Sequence, residues 1–300
     1  MMDLLRSPLQ EVISRADKAR REHAGNKLEL CSIINAKAGR CAEDCKFCAQ
    51  SCRHSTGAPS YPLKDKDQII EAAGRAKNIG AEKFGIVTSG NRLNPKEIDS
   101  IADAIHSIKK DIGIVPCASL GALDKEELKT LREAGLTRYH HNIETSKRFY
   151  PSVVTTHLFE ERLKTIEMAK ETGLQVCSGG IIGMGETWQD RVDMAETLKS
   201  LGVDSVPINL LVPIKGTPYG SIDTISCDDA IRTIAIFRII LEGRIIKIAA
   251  GREAVLKDSQ ALGFKAGANG MLIGGYLTVK GQEVESDHHL VREIERLWSE

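Results

Sequence analysis

The feature that most restricts the fold of this chain is an alternation, kept up along all 300 residues, of short β-rich runs with longer amphipathic stretches. Repetition of that kind builds βα units around a parallel sheet. Strands are expected at Leu28 to Asn35, Lys83 to Ser89, Gly113 to Ala118, Thr137 to Ile143, Leu174 to Ser178, Ser205 to Val212, Ile245 to Ala250 and Asn269 to Gly274. Eight strands with intervening helices predict a closed α/β barrel of the (βα)8 type. Helical patterns fall at Asp67 to Ile79, Pro95 to Lys110, Lys125 to Ala134, Thr156 to Thr172, Gln189 to Leu201 and Asp228 to Leu241. Several run into glycine (Gly80, Gly135, Gly173, Gly202), a common helix C-terminus. The expected organisation is one unit: an N-terminal helical extension over 1–26 whose helix, about Pro8 to His23, caps one end, a barrel over 27–276, and a C-terminal segment over 277–300 with a closing helix at Asp287 to Trp298.

Alternation within the strands adds a second constraint. If Cys31 points into the barrel, so do Glu29, Ile33 and Asn35, while Leu28, Leu30, Ser32 and Ile34 face the helices. The same parity turns Gln175, Cys177, Asn209 and Lys247 inward and their apolar neighbours outward. Barrel interiors are ordinarily packed with Val, Ile and Leu. A lining of Cys, Asn, Gln, Glu and Lys implies a polar occupant, the alternative being a set of satisfied polar core residues.

Charge narrows the partners. With 41 basic and 41 acidic residues the formal net charge is zero, which gives no pull toward nucleic acid or an anionic membrane. No apolar run approaches the roughly 18 to 20 residues that span a bilayer, and the start is too charged for a signal peptide, so a cytoplasmic protein is expected. Eight cysteines in such a setting point to metal binding or catalysis rather than disulfides.

Three of those cysteines form the sharpest motif. In NAKAGRCAEDCKFCAQSC, directly after the first expected strand, Cys41, Cys45 and Cys48 make CxxxCxxC. Loops at the carboxyl ends of barrel strands carry the chemistry of barrel enzymes. Three close thiolates can hold three irons of a [4Fe–4S] cluster and leave the fourth open to a small molecule. A structural zinc site, with Cys52 as fourth ligand, is the alternative.

CxxxCxxC in this position, with Phe47 just before Cys48, resembles the radical S-adenosylmethionine (SAM) superfamily. There the open iron chelates SAM, and reduction of the cluster yields a 5′-deoxyadenosyl radical. Further strings, CAEDCKFCAQS, YHHNIETS, VCSGGIIGMGET, SVPINLLVPIKGTP, AAGRE and FKAGAN, resemble the biotin synthase family in that family's order over about residues 28 to 275. The resemblance implies a sulfurtransferase that converts dethiobiotin to biotin, using the [4Fe–4S] cluster and SAM together with an auxiliary iron–sulfur cluster that donates sulfur. It also implies a low-potential electron donor and, as family members commonly form them, a homodimer, although the sequence marks no interface.

By the same resemblance Asn142 and Asn209 would hold the ureido ring of dethiobiotin, which suits an amide that offers donors and an acceptor. Glu144 stands where the family has an Asp for the SAM ribose. Arg162 matches an arginine that contacts the SAM carboxylate, its alternative being a surface helix arginine. Gly179, Gly180 and Glu186, in GGIIGMGE, match the glycine-rich segment beside the SAM methionyl group. His141 faces outward by parity and reads equally as a packed or a functional residue.

The auxiliary site departs from the family pattern of three cysteines and an arginine. Cys117 and Cys177 match two of the cysteines, but Gly85 stands at the third position and Lys247 at the arginine. A protonated lysine has no lone pair for iron. An arginine-ligated [2Fe–2S] cluster is therefore not expected. Cys31, Cys117 and Cys177, with Cys52 turning inward from the barrel mouth, are expected instead to bind a cubane-like cluster. The alternative for Cys31 is a small core residue, and Cys227 reads as a buried or capping one. Two rival functions remain: another radical SAM barrel enzyme, such as an amino-acid mutase or metallocofactor maturase, and a non-catalytic iron–sulfur or zinc sensor.

Overall fold

The computed structural model describes residues 2–277 and 281–299; residues 278–280 and 300 of the expected C-terminal segment lie outside the described residues. Nine short strands are described: β1 Glu29–Lys37, β2 Lys83–Thr88, β3 Val115–Ser119, β4 Arg138–His140, β5 Gln175–Cys177, β6 Gly180–Ile182, β7 Ser205–Leu210, β8 Ile245–Ile248 and β9 Gly270–Leu272. All of their pairings are parallel. The ring closes where β9 meets β1 and where β5 and β6 both meet β7. Strands β5 and β6 share one place in the ring, so the barrel has eight positions.

The division of that fifth position was not visible in the sequence, where Gly180–Ile182 carries no strand pattern of its own. The break has a local cause: the Gly179 N–H leaves the ladder and donates to the Asn142 side-chain oxygen at 3.1 Å.

Between strands run helices Lys66–Asn78, Pro95–Ser107, Lys125–Glu133, Phe159–Glu171, Trp188–Ser200 and Cys227–Leu241. Asp65, Asn94, Asp124, Thr187 and Ser226 cap their N-termini with side-chain oxygens, satisfying backbone N–H groups that have no partner inside the helix. The helix expected from Thr156 starts three residues later, at Phe159. Thr155 and Thr156 instead spend their N–H groups on the Asp44 carboxylate.

The outward faces of the strands form the core. Phe84, Ile86, Tyr139, Val176, Val206, Ile208, Ile246, Ile248 and Met271 are each 1% exposed or less. Full burial of one such side chain contributes about 1.5–3 kcal/mol. The N-terminal helix Leu9–His23 packs on Cys227–Leu241 and Gln260–Lys265 outside the ring. No helix among the described residues is long and apolar enough to cross a membrane.

Candidate active site at the mouth and centre of the barrel

The cysteine loop leaves β1 through two left-handed residues, Gly39 (φ 73°) and Arg40 (φ 52°). A Cβ at position 39 would lie 2.7 Å from Ser60 Cβ, so glycine is required there. The loop then folds on itself: the Cys41 N–H donates to Gln50 O, the Cys52 N–H to Cys41 O and the Cys48 N–H to Cys45 O. Cys45 is buried, and Cys41 and Cys48 are half-buried. Phe47 packs on the core. Burial pushes the Cys45 and Cys48 thiols up; the Arg162 charge opposes this at Cys45, while neighbouring thiols and Glu144 reinforce it at both.

Two acidic residues inside the motif tie this loop to the segment before Phe159. Asp44 accepts from the backbone of Thr155 and Thr156. Glu43 accepts from His157 Nδ1 at 2.6 Å, and His157 Nε2 accepts from Arg162 Nη2 at 2.8 Å. A guanidinium only donates, so His157 Nε2 carries no proton and Nδ1 does. Arg162 further donates to Tyr150 Oη at 2.7 Å and Asn142 O at 2.9 Å, and its Nη1 lies 3.7 Å from Glu144 Oε1. Far from being a surface residue, its side chain is 12% exposed. Burial disfavours its charge, but Glu144 and Tyr150 overcome that and raise its pKa further.

Above the barrel these groups line a cavity of about 150 Å³ with Cys41, Cys45, His140, Asn142, Glu144 and Arg162 on its walls. Glu144 takes a left-handed φ of 67°, uncommon outside glycine. The strain is held by Glu144 N donating to Gly179 O and Ile181 N donating to Glu144 O.

The two asparagines are oriented by backbone. Asn209 donates to Gly180 O at 3.2 Å and accepts from the Ala250 N–H at 3.2 Å. Asn142 donates to Glu144 Oε2 at 3.3 Å and accepts from Gly179 N. Each amide keeps one N–H and one oxygen lone pair outside these bonds.

Gly179 and Gly180 answer to the chain's own backbone. A Cβ at 179 would sit 1.9 Å from Pro207 O, and one at 180 would sit 2.2 Å from Glu144 O. Glu186 is likewise committed: its carboxylate accepts from Gly183 N and Met184 N and pairs with Arg191 Nε at 2.7 Å. It shapes the glycine loop from beneath, so only the backbone of that loop is free to meet a ligand. His141 stacks on Tyr139, borders the cavity and is held neutral by burial.

Below the cavity the interior is arranged in layers. In a barrel of eight strands, alternate strands contribute one layer of four side chains. The odd positions of this ring, β1, β3, β5 and β8, supply Cys31, Cys117, Cys177 and Lys247. Cys31 interacts with both Cys117 and Cys177, and all three thiols interact with Lys247. Glu29, two residues below Cys31, accepts from Lys247 at 2.8 Å and Arg138 at 2.7 Å and lies 3.5 Å from Lys83. Burial alone would raise the Glu29 pKa; Lys247 and Arg138 bring it down to about 2. Burial pushes the Cys117 thiol up to about 12. At Cys177 burial also pushes upward, but Lys247, His140 and Arg138 outweigh it and bring the thiol down to about 6.

One expectation about this layer needs correction. Cys52 is exposed, bound by its backbone to Cys41 in the mouth loop, and does not turn toward the barrel thiols. The absent third cysteine has a steric counterpart: a Cβ at Gly85 would meet Ile33 Cγ2 at 3.0 Å, so Ile33 already fills that space.

Among the described residues no three His, Cys, Asp or Glu side chains are gathered tightly enough for a single metal ion. Thiolates around a multi-iron cluster bind different irons and sit further apart than ligands of one ion. The donor chemistry of Cys41, Cys45 and Cys48, and of Cys31, Cys117 and Cys177, fits such clusters. Polar atoms left without partners point the same way: Thr88 Oγ1 and His141 Nε2 at the cavity, and Ser205 Oγ on the strand beside Cys177. Leaving such atoms unpaired costs on the order of 1–3 kcal/mol each.

A closed parallel barrel with three thiols in the loop after its first strand is the architecture of radical SAM enzymes, and residues 37–210 match the Radical SAM superfamily. Residues 207–296 match the Biotin and Thiamin Synthesis associated domain. A biotin synthase of Thermotoga petrophila is 52% identical over 295 residues, 96% of this chain and 98% of its own. One from Pelotomaculum thermopropionicum is 46% identical, covering 95% and 89%. In fold, methylornithine synthase superposes with a TM-score of 0.83 at 21% identity over 99% of this chain and 91% of its own. The FeFe-hydrogenase maturase HydG from Carboxydothermus hydrogenoformans superposes with 0.80 at 18% identity over 95% and 71%. The chain belongs to the biotin synthase family of the radical SAM superfamily.

Sequence reasoning passed over Arg138, His140, Glu43 and His157. The parity that turns Asn142 inward on the fourth strand also turns Arg138 and His140 inward, so that signal existed. Glu43 lies inside the CxxxCxxC motif. Nothing local marks His157, whose partners are 114 residues before it and 5 after it.

Proposed function

We propose that this chain converts dethiobiotin to biotin, with the loop cysteines Cys41, Cys45 and Cys48 holding a [4Fe–4S] cluster and Cys31, Cys117 and Cys177 holding an auxiliary iron–sulfur cluster. The single observation that carries this reading is the vertical order of the barrel: thiol loop at the mouth, polar cavity beneath it, thiol layer beneath that. A reaction that joins the two thiol sites through one small substrate needs that order. When bound, the loop cluster with SAM supplies hydrogen-atom abstraction and the auxiliary cluster supplies the sulfur atom.

The chain's own residues bind, orient and shield. Arg162, pre-aimed by Tyr150, His157 and Asn142 O, offers a guanidinium to the SAM carboxylate. Glu144 accepts from the ribose hydroxyls. The free N–H and lone pair of Asn142 and of Asn209 match the C=O and N–H groups of a cyclic urea. Holding the two reacting molecules in register over the thiol layer lowers the entropic part of the barrier. Gly179 and Gly180 let β7 and the Glu144 backbone close in beside Asn142, which keeps that amide fixed.

The test is anaerobic reconstitution with iron and sulfide, addition of a low-potential reductant, SAM and dethiobiotin, and mass spectrometry of 5′-deoxyadenosine, biotin and thiolated intermediates. Biotin is the expected product. Deoxyadenosine without any sulfur-containing product would overturn the substrate and point to rearrangement or maturation chemistry.

A further inference from the structure

We infer that His140 is the fourth protein ligand of the auxiliary cluster, completing a set of Cys31, Cys117, Cys177 and one imidazole nitrogen. This ligand role rests on the auxiliary-cluster reading above. The thiol layer supplies three donors, and the fourth place in it belongs to Lys247. Lys247 cannot fill it as a donor, because its ammonium is paired to the Glu29 carboxylate at 2.8 Å and a protonated lysine has no lone pair for iron. Cys52 is exposed in the mouth loop, and the Cys227 sulfur faces Leu256 O on the outer helix layer. Position 85 is glycine against Ile33. Arg138 and Glu29 are committed to each other at 2.7 Å.

His140 meets the requirements those groups fail. It lies in register with Cys177 on the adjacent strand β4, in the inward parity of Arg138 and Asn142. Paired with Cys177 across adjacent strands, its ring is close enough to that sulfur to help stabilise the thiolate. The ring also lines the cavity above the layer, so it stands between the substrate space and the thiols. Neutral imidazole binds iron through one nitrogen and keeps its proton on the other, so ligation removes no electron from the ring. Histidine in place of cysteine is established iron–sulfur chemistry and raises the reduction potential.

The experiment uses the full chain carrying Cys41→Ala, Cys45→Ala and Cys48→Ala, which removes the mouth cluster, reconstituted with iron and sulfide and reduced by one electron. Iron is counted, and pulsed electron paramagnetic resonance is recorded with natural and ¹⁵N-histidine-labelled protein. The expected result is a directly bound histidine nitrogen coupling that shifts with the label, vanishes in His140→Ala and His140→Cys, and persists in His141→Ala. His140→Cys replaces one donor by another and keeps the iron count, so loss of coupling there is separate from loss of folding. A cluster with no nitrogen coupling, or a coupling that survives His140→Cys, overturns the ligand role and leaves the auxiliary cluster standing. Absence of any cluster in the triple variant overturns both.

Discussion

Gly179→Ala separates two reasons for a glycine-rich segment, close approach of a ligand and close approach of the protein itself. A Cβ at 179 would lie 1.9 Å from Pro207 O, so the backbone of β7 must retreat by about 1.5 Å to reach ordinary contact. Gly179 must share in that separation, and its movement disturbs three hydrogen bonds: Gly179 N to Asn142 Oδ1 at 3.1 Å, Ile143 N to Gly179 O at 3.0 Å and Glu144 N to Gly179 O at 3.1 Å. At about 1 kcal/mol net each, plus about 1–3 kcal/mol for overpacking a rigid interior, the cost is about 4–6 kcal/mol. Unfolding entropy of about 2.1 cal/mol/K per residue over this length turns that into a fall in melting temperature of about 6–10 °C. The assay is thermal melting by circular dichroism of the metal-free protein, where no cofactor can contribute. A variant that melts within about 2 °C of the parent, yet loses SAM binding once loaded with iron, would refute the backbone account.

Three further outcomes are expected. Arg162→Lys loses the fork shared among Tyr150, His157 and Asn142 O, and should weaken SAM binding to the iron-loaded protein by about 10-fold to 100-fold, the equivalent of one or two charge-assisted hydrogen bonds. Calorimetry under anaerobic conditions measures this, and a change under twofold would remove Arg162 from the SAM site. Burial raises the Asp190 pKa, but bonds from Ser146 and Thr187 and the Arg148 charge leave it below the ordinary value. Its stabilisation is therefore full above the unfolded pKa of about 4 and is lost as pH falls through the lower folded value. Urea midpoints of Asp190→Asn should lie below the parent at pH 7 and converge with it at acid pH, a constant gap being the contrary result. Cys52→Ser should leave the iron content per chain unchanged, both in the parent and in the variant without mouth-loop cysteines; a loss of iron would return Cys52 to the ligand set.

Much of the site could be read without coordinates because its signals are local. CxxxCxxC lies within eight residues, the in-and-out parity of a strand depends only on its neighbours, and the apolar outward faces follow from it. The sequence alone therefore determined a barrel with a polar interior and a thiol loop at its mouth. Set beside the biotin synthase family it resembles, the sequence also has Gly85 and Lys247 where that family has a cysteine and an arginine.

What only the tertiary structure decided depends on stagger between strands and on contacts between distant segments. Cys31, Cys117 and Cys177 share a layer because the ring register brings alternate strands to one height, while Cys52, only four residues past the motif, stays outside. His140 reaches Cys177 because the pairing of β4 with β5 sets those two residues opposite each other. Arg162 faces inward because His157 and Glu43 hold it there, a chain of bonds spanning more than a hundred residues. Parity says which side of a strand a residue occupies; height around a closed ring is set by all eight positions together, and no single segment carries that information.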